Sequence, residues 1–197
     1  PYARTKFMME MILRDFCSAY AMQGIALRYF NPIGADPKMR TGLQIANPSH
    51  AIGKLVDVQL GKIPQFTITG TDYETRDGTG IRDYIHVWDL AQAHIRAVEH
   101  FDSAFINAGS PEDNYLVINL GTGRGVTVRE LVTAFEKVVM KEINKADGPR
   151  RPGYTAGSFC NADTARRLLG WSAELPIEVG ISDAFKWGEK RDSVLSD

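Results

Sequence analysis

Cysteine is scarce in this chain: Cys17 and Cys160 are the only two in 197 residues. Two cysteines form no framework, so a disulfide-stapled domain is excluded. An excess of charge of one sign is missing as well. Lys plus Arg number 23 against 24 Asp plus Glu, a formal net charge of −1, which argues against a strongly basic nucleic-acid binder while leaving room for a local cationic pocket. No apolar run reaches the roughly 20 residues of a membrane-spanning helix, and no repeat or low-complexity tract is visible. His86, His94 and His100 show no spacing with cysteines or carboxylates that suggests metal ligation. What remains is 44% hydrophobic and 24% charged, the composition of a globular chain with one large domain or two small ones. The expectation is a soluble, cytoplasmic α/β protein that binds neither membrane nor nucleic acid.

Helical and strand patterns alternate along the chain. Phe7, Met8, Met11, Ile12, Phe16 and Ala19 recur at three- and four-residue spacing and predict a helix over 2–22, with Gly24 as a stop. The apolar run 25–30, bounded by Gly24 and Pro32, predicts a buried strand. A loop over 31–49, a helix over 49–60, a strand over 65–69 and a polar loop over 70–80 follow. Residues 88–101 read as a helix and 115–120 as a second buried strand. Thr127 with Glu130 three residues on has the form of a capping box opening a helix to about residue 143. Short helices near 163–169 and 177–190 follow a basic loop over 148–157. The alternation predicts a parallel α/β sheet.

The first local signal for chemistry is Tyr2-Ala3-Arg4-Thr5-Lys6. Residues four apart on a helix share a face, and an ammonium beside a phenol favours the phenolate, which makes Tyr a candidate general base. By itself Tyr-x-x-x-Lys also occurs in many helices that do no chemistry. A Gly-rich turn, Gly121-Thr122-Gly123-Arg124-Gly125, lies between strand and helix like a dinucleotide-binding turn. Val126 stands where the third glycine of Gly-x-Gly-x-x-Gly is needed, so it reads as a plain turn and helix entry.

Further blocks occur in order: Leu27-Arg28-Tyr29-Phe30-Asn31-Pro32-Ile33-Gly34-Ala35; Gly70-Thr71-Asp72-Tyr73 through Asp77-Gly78-Thr79-Gly80 to Arg82-Asp83-Tyr84-Ile85-His86-Val87; Asn119-Leu120-Gly121-Thr122-Gly123; Arg150-Arg151-Pro152-Gly153; and Leu169-Gly170-Trp171. With Tyr2-x-x-x-Lys6 they resemble the extended short-chain dehydrogenase/reductase superfamily, and within it the UDP-glucose 4-epimerases, over nearly the whole chain. The fold this implies is α/β: the C-terminal part of a Rossmann-type NAD-binding domain plus a smaller α/β substrate domain. Residues 1–31 would be the last helix and strand of the NAD-binding domain, with 84–101 packing there, and 32–197 mainly the substrate domain.

The resemblance also implies roles. Tyr2 would be the active-site base and Lys6 would bind the nicotinamide ribose and lower the Tyr pKa, both touching NAD. Tyr29 and Phe30 would lie beside the cofactor, and Asn31 would hydrogen-bond the sugar nucleotide. Thr67, Ile68 and Thr69 would border the uracil. Arg82 and Arg151 would hold the pyrophosphate, a task suited to the planar guanidinium fork; exposed surface charge is the alternative for each, and Arg150 is not separable from Arg151 by sequence. His50 would contact the sugar nucleotide or simply sit at a helix start. Cys160 falls near a position that gates sugar size in the family, or else packs as a small buried apolar residue. Two departures stand out: Tyr154 follows Gly153 where the family has Asp, and the stretch from Arg151 to Asp163 looks about two residues longer.

The family's Gly-rich NAD turn and its catalytic Ser or Thr lie upstream of Tyr-x-x-x-Lys and are not in this sequence, which opens at Pro1 inside a helical pattern. The expectation is therefore a fragment, inactive alone, of an enzyme that interconverts UDP-glucose and UDP-galactose. Tyr2 would take the proton of the sugar 4-hydroxyl while NAD receives the C4 hydride, and the 4-keto sugar would turn over and be reduced on its other face. A homodimer is expected for the whole protein. The alternatives are another nucleotide-sugar enzyme of the superfamily (a 4,6-dehydratase or a UDP-glucuronate decarboxylase) or a non-catalytic UDP-sugar-binding module.

Overall fold

A computed structural model describes residues 1–109, 114–153 and 155–195. The chain is mixed α/β. Helix α1 (Tyr2–Ala19) leads into strand β1 (Gly24–Tyr29) and the short β2 (Asn31–Ile33). Gly24 does not stop the helix; it opens β1, and α1 ends at Tyr20, whose extended backbone breaks the turn. Then come α2 (Ala51–Gln59), β3 (Phe66–Thr69), β4 (Ile81–Arg82) and β5 (Tyr84–His86). Two helices, α3 (Val87–Glu99) and α4 (Phe101–Asn107), replace the single one expected, because the chain turns at His100. The order closes with β6 (Tyr115–Leu120), β7 (Val126–Thr127), α5 (Val128–Val139), β8 (Lys145–Gly148), β9 (Gly157–Ser158), α6 (Asp163–Leu169) and α7 (Ile177–Val194).

The expected parallel sheet is divided. Among the described residues β1 pairs only with β6, β2 with β5 and β3 with β8, all parallel, while β4 lies between antiparallel β7 and parallel β9. Short strands of two to four residues set these small sheets apart, since each offers only a few ladder bonds.

Two apolar clusters hold the molecule. One gathers Ile85, Leu90, Ala93, Ala97, Ile118, Leu120, Leu168, Leu169 and Trp171 around β1, β6, α3 and α6. The other packs Leu55, Val56, Phe66, Ile68, Leu131, Phe135 and Ile181 between α2, β3, α5 and α7. Helix α5 enters through the capping box read from sequence: the Thr127 hydroxyl accepts from the Glu130 amide and the Glu130 carboxylate accepts from the Thr127 amide. It ends at Met140, which takes the left-handed conformation at φ 55°, so the turn stops the helix three residues before the expected end. No described helix is long and apolar enough to cross a membrane.

Candidate functional site

A cavity of about 920 Å³ opens between the loop after β2, helix α2, β3, β4 and helix α7, a size suited to a substantial small molecule. Asn31, His50, Thr67, Thr69, Arg82 and Arg151 all line it. These are residues 120 positions apart in sequence, gathered by the pairing of β2 with β5 and of β4 with β9.

Each wall has a local reason. Asn31 starts β2, and its backbone N–H donates to Asp83 O at 2.9 Å, fixing the entry of the loop. His50 is the N-cap of α2: its Nδ1 accepts from the Gly53 amide at 3.2 Å. The ring thus sits at the helix start, one of the two expectations for it, and also lines the cavity. Burial lowers its pKa, offset in part by the negative charge of Asp57. In β3 the pleat alternates: Thr67 and Thr69 face the cavity, whereas Ile68 is 2% exposed and belongs to the core behind. Its side chain does not reach the cavity.

Arg82 lines the wall with its Nη1 donating to Ile81 O at 2.6 Å and to Ala156 O at 3.2 Å. It makes no ion pair with any carboxylate of the described residues. Arg150 and Arg151 are separated by their surroundings. Arg150 is committed elsewhere, its Nε 2.6 Å from Asp72 Oδ1 and its guanidinium 4.2 Å above the Tyr73 ring, while Arg151 lines the cavity. Two guanidiniums on one wall of a cavity can take the oxygens of a diphosphate bidentately.

Sequence reading missed Tyr84, which also lines the cavity; burial drives its phenol up to about 12, against a lowering by the Arg82 charge. Asp57, 7% exposed on α2, is another lining residue it passed over. The signal for Tyr84 was available in its place two residues after Arg82, where a strand returns to the same face.

Cys160 is a correction. It is 5% exposed, its amide donates to Asp83 Oδ2 at 3.1 Å, and it abuts Gly121. It is not on the cavity wall. Burial, with the Asp83 charge second, raises its thiol to about 11, so it is a packed apolar residue. Tyr154, the departure from the family's Asp, lies outside the described residues.

Tyr2, Lys6, Tyr29 and Phe30 lie beyond the cavity wall, on the surface where α1 meets β1. Tyr2 is 75% exposed, with the Lys6 ammonium 5.4 Å from its ring centroid, as one helical turn dictates. Tyr29 ends β1 half-exposed, tilted against His94 at 6.4 Å between centroids. One residue, Phe30, separates it from Asn31 in the cavity. An exposed phenol beside an ammonium can exchange a proton with a bound hydroxyl. No group of three or more His, Cys, Asp or Glu among the described residues is arranged for a metal.

The chain is 43% identical over 189 residues to the UDP-glucose 4-epimerase of Bacillus subtilis (strain 168), covering 95% of this chain and 53% of that protein. It is 40% identical over 192 residues to the enzyme of the same name from Rhizobium meliloti (strain 1021), covering 98% and 56%. Among solved structures, UDP-glucose 4-epimerase from Bifidobacterium longum in complex with NAD+ and UDP superposes with a TM-score of 0.89 at 36% identity, over 99% of this chain and 56% of that one. The chain thus spans about half the length of the relatives it matches. Residues 1–109 match the family model described as the NAD dependent epimerase/dehydratase family, and the chain belongs to that family.

Proposed function

We propose that this chain carries the nucleotide-sugar site and the Tyr-x-x-x-Lys element of an enzyme that inverts C4 of a UDP-hexose, interconverting UDP-glucose and UDP-galactose. The observation that carries this reading is the meeting of Arg82, Arg151, Asn31, Thr67 and Thr69 in one cavity. Arg82 and Arg151 bind the pyrophosphate, Thr67 and Thr69 border the base, and Asn31 and His50 hold the sugar nucleotide in place. Tyr2 takes the proton of the sugar 4-hydroxyl and returns it, and Lys6 sets the charge beside the phenol.

The residues present fit one end of an NAD molecule. Tyr2 and Lys6 present a hydroxyl and an ammonium from one exposed helical face, and Tyr29 offers an exposed aromatic surface at the end of β1. When bound, NAD supplies a hydride acceptor and donor. The grouping of 1–31 with 84–101 as the cofactor side, and of 32–197 mainly as the substrate side, is part of the same reading, as are a homodimer and a cytoplasmic location.

The test is product analysis with the protein expressed from its complete reading frame. UDP-glucose should yield UDP-galactose with no net consumption of NAD. A 4-keto-6-deoxy sugar formed from UDP-glucose would instead assign a dehydratase, a UDP-pentose formed from UDP-glucuronate with release of CO2 a decarboxylase, and UDP binding without turnover a binding module.

A further inference from the structure

Asp83 is fully buried, at 0% exposure, and no Lys or Arg of the described residues forms an ion pair with it. A buried carboxylate without a cation is costly unless hydrogen bonds replace its water. Here they do. Oδ1 accepts from the Thr122 amide at 3.0 Å and the Thr122 hydroxyl at 2.6 Å; Oδ2 accepts from the Gly123 amide at 3.0 Å and the Cys160 amide at 3.1 Å. The Gly-rich turn that resembles a phosphate cradle is therefore a cradle in fact, and the anion it holds is internal.

The position of that anion matters. Asp83 stands between Arg82 and Tyr84, which both line the cavity, and its own side chain is directed to the segment behind. That segment is the stretch 155–160, which carries β9 and Cys160 and follows Arg151 in the chain. It is seated twice: by the register Arg82↔Ser158 with the Arg82 Nη1 bond to Ala156 O, and by the Cys160 amide on Asp83. Two glycines permit the close fit. A Cβ at Gly157, where φ is +121°, would come within 1.8 Å of Ile81 O, and one at Gly121 within 2.5 Å of Cys160 Cβ and 2.7 Å of Asp83 Oδ2.

We propose that Asp83 is a positioning residue of the nucleotide-sugar site, its carboxylate clasping the Gly121–Gly123 turn and the 155–160 stretch that follows Arg151 so that Arg151 and Arg82 are held at a fixed spacing. The proposal rests on the reading that these two guanidiniums receive a pyrophosphate. Apolar contact between the segments would bury as much surface but would not fix direction, whereas four hydrogen bonds from two segments onto two oxygens do.

The test uses the protein from its complete reading frame and UDP as the probe. Asp83→Asn turns an amide N–H2 toward N–H donors; UDP Kd and the KM for UDP-glucose should rise about 10- to 100-fold, on the scale of hydrogen bonds to a charged group. The kcat should stay within about threefold, because Tyr2 and Lys6 lie on a different face. Thr122→Val removes the hydroxyl that donates to Asp83 Oδ1 and accepts from the Arg124 amide, and should weaken UDP binding a few-fold with only a small drop in melting temperature. The decisive measurement is the cycle with Arg151→Ala: in that background Asp83→Asn should weaken UDP binding less than about twofold, since the group it positions is gone. A merely structural role would give the same loss in both backgrounds and overturn the proposal. So would an Asp83→Asn protein that fails to fold together with a Thr122→Val protein that binds UDP like wild type. If wild type itself does not bind UDP, or Arg82→Ala and Arg151→Ala leave binding unchanged, the reading of the cavity falls first and the proposal with it.

Discussion

Helices α1 and α5 have the same amphipathic design and opposite fates in this chain. In α5 the apolar stripe is closed: Leu131, Val132 and Phe135 are buried against α2 and α7, and the N-terminus is tied by a full capping box. In α1, 18 residues long, Cys17 alone is buried; Phe7, Met8, Met11, Ile12 and Phe16 each stay roughly half exposed, and no side chain caps the start. An amphipathic pattern states that a helix has a buried face, not which segment covers it. For α5 the rest of the chain supplies the cover; for α1 the described residues do not. The candidate site divides along the same line, with the cavity on the side of the α2, α5 and α7 cluster and Tyr2 and Lys6 exposed on α1.

The largest expected effect tests the exposed side. Tyr2→Phe in the complete reading frame should lower turnover of UDP-glucose by about 10²- to 10⁴-fold, the range for loss of a general acid–base. The melting temperature should change little, because Phe keeps the ring and loses only the hydroxyl. Near-wild-type turnover would remove Tyr2 from the chemistry.

Phe135→Ala probes the closed side. Phe135 is fully buried and meets Phe185 edge-on at 6.4 Å between centroids, so truncation should cost about 3–5 kcal/mol in chemical denaturation. A loss below about 1 kcal/mol would mean that this core is as open as α1.

An arginine on the cavity wall and one off it give a smaller contrast. Arg82→Ala should weaken UDP binding by about 10- to 100-fold by titration calorimetry, as expected for charge-assisted bonds to phosphate. Arg150→Ala should change it less than about threefold, since Arg150 spends its guanidinium on Asp72 and the face of Tyr73 and exposed pairs are weak.

What the sequence made legible, and what it hid, follows from how local each determinant is. The limits of β6 and α6 matched the apolar runs and α5's start matched its capping box, because those signals lie within a few residues. β2, β4, β7 and β9 have only two or three residues each; nothing in such a segment marks it as a strand until a partner distant in sequence supplies the ladder. The site shows the same split. Asn31, Arg82 and Arg151 sit in recognisable blocks and reach the cavity. Asp83 lies inside one of those blocks, yet its role depends on Thr122, Gly123 and Cys160, which are 39 to 77 positions away. Cys160 was drawn toward the sugar by position along the chain, and packing against Gly121 takes it elsewhere.

His50 joins stability to the cavity through pH. Burial holds its folded pKa below the ordinary 6.5, so between the folded value and 6.5 the unfolded chain binds more protons and stability falls as the solution is acidified. Protonation at Nδ1 would also remove the acceptor for the Gly53 amide. Stability from this group is complete above about 6.5 and is lost as pH falls through the folded value. His50→Asn keeps an N-cap acceptor without titrating there. Thermal melts from pH 8 to 5 should therefore show wild type losing stability relative to His50→Asn below 6.5, and parallel curves would contradict the assignment.

The smallest effect bears most directly on the contrast between the two helices. Phe7→Ser and Met8→Ser, at side chains each 58% exposed, should change the stability of this 197-residue chain by less than about 0.5 kcal/mol, as surface substitutions do. A loss of about 2 kcal/mol or more in denaturation would mean that α1's apolar face is already covered within the chain. Association is then the discriminating measurement. If α1 contributes to a homodimer, the same two substitutions in the complete protein should raise the dimer dissociation constant, read by sedimentation equilibrium, while leaving UDP binding unchanged. Such a result would separate the two faces thermodynamically: α5 would hold the site together within one chain, and α1 would spend its apolar surface on a contact that forms only when a second element arrives.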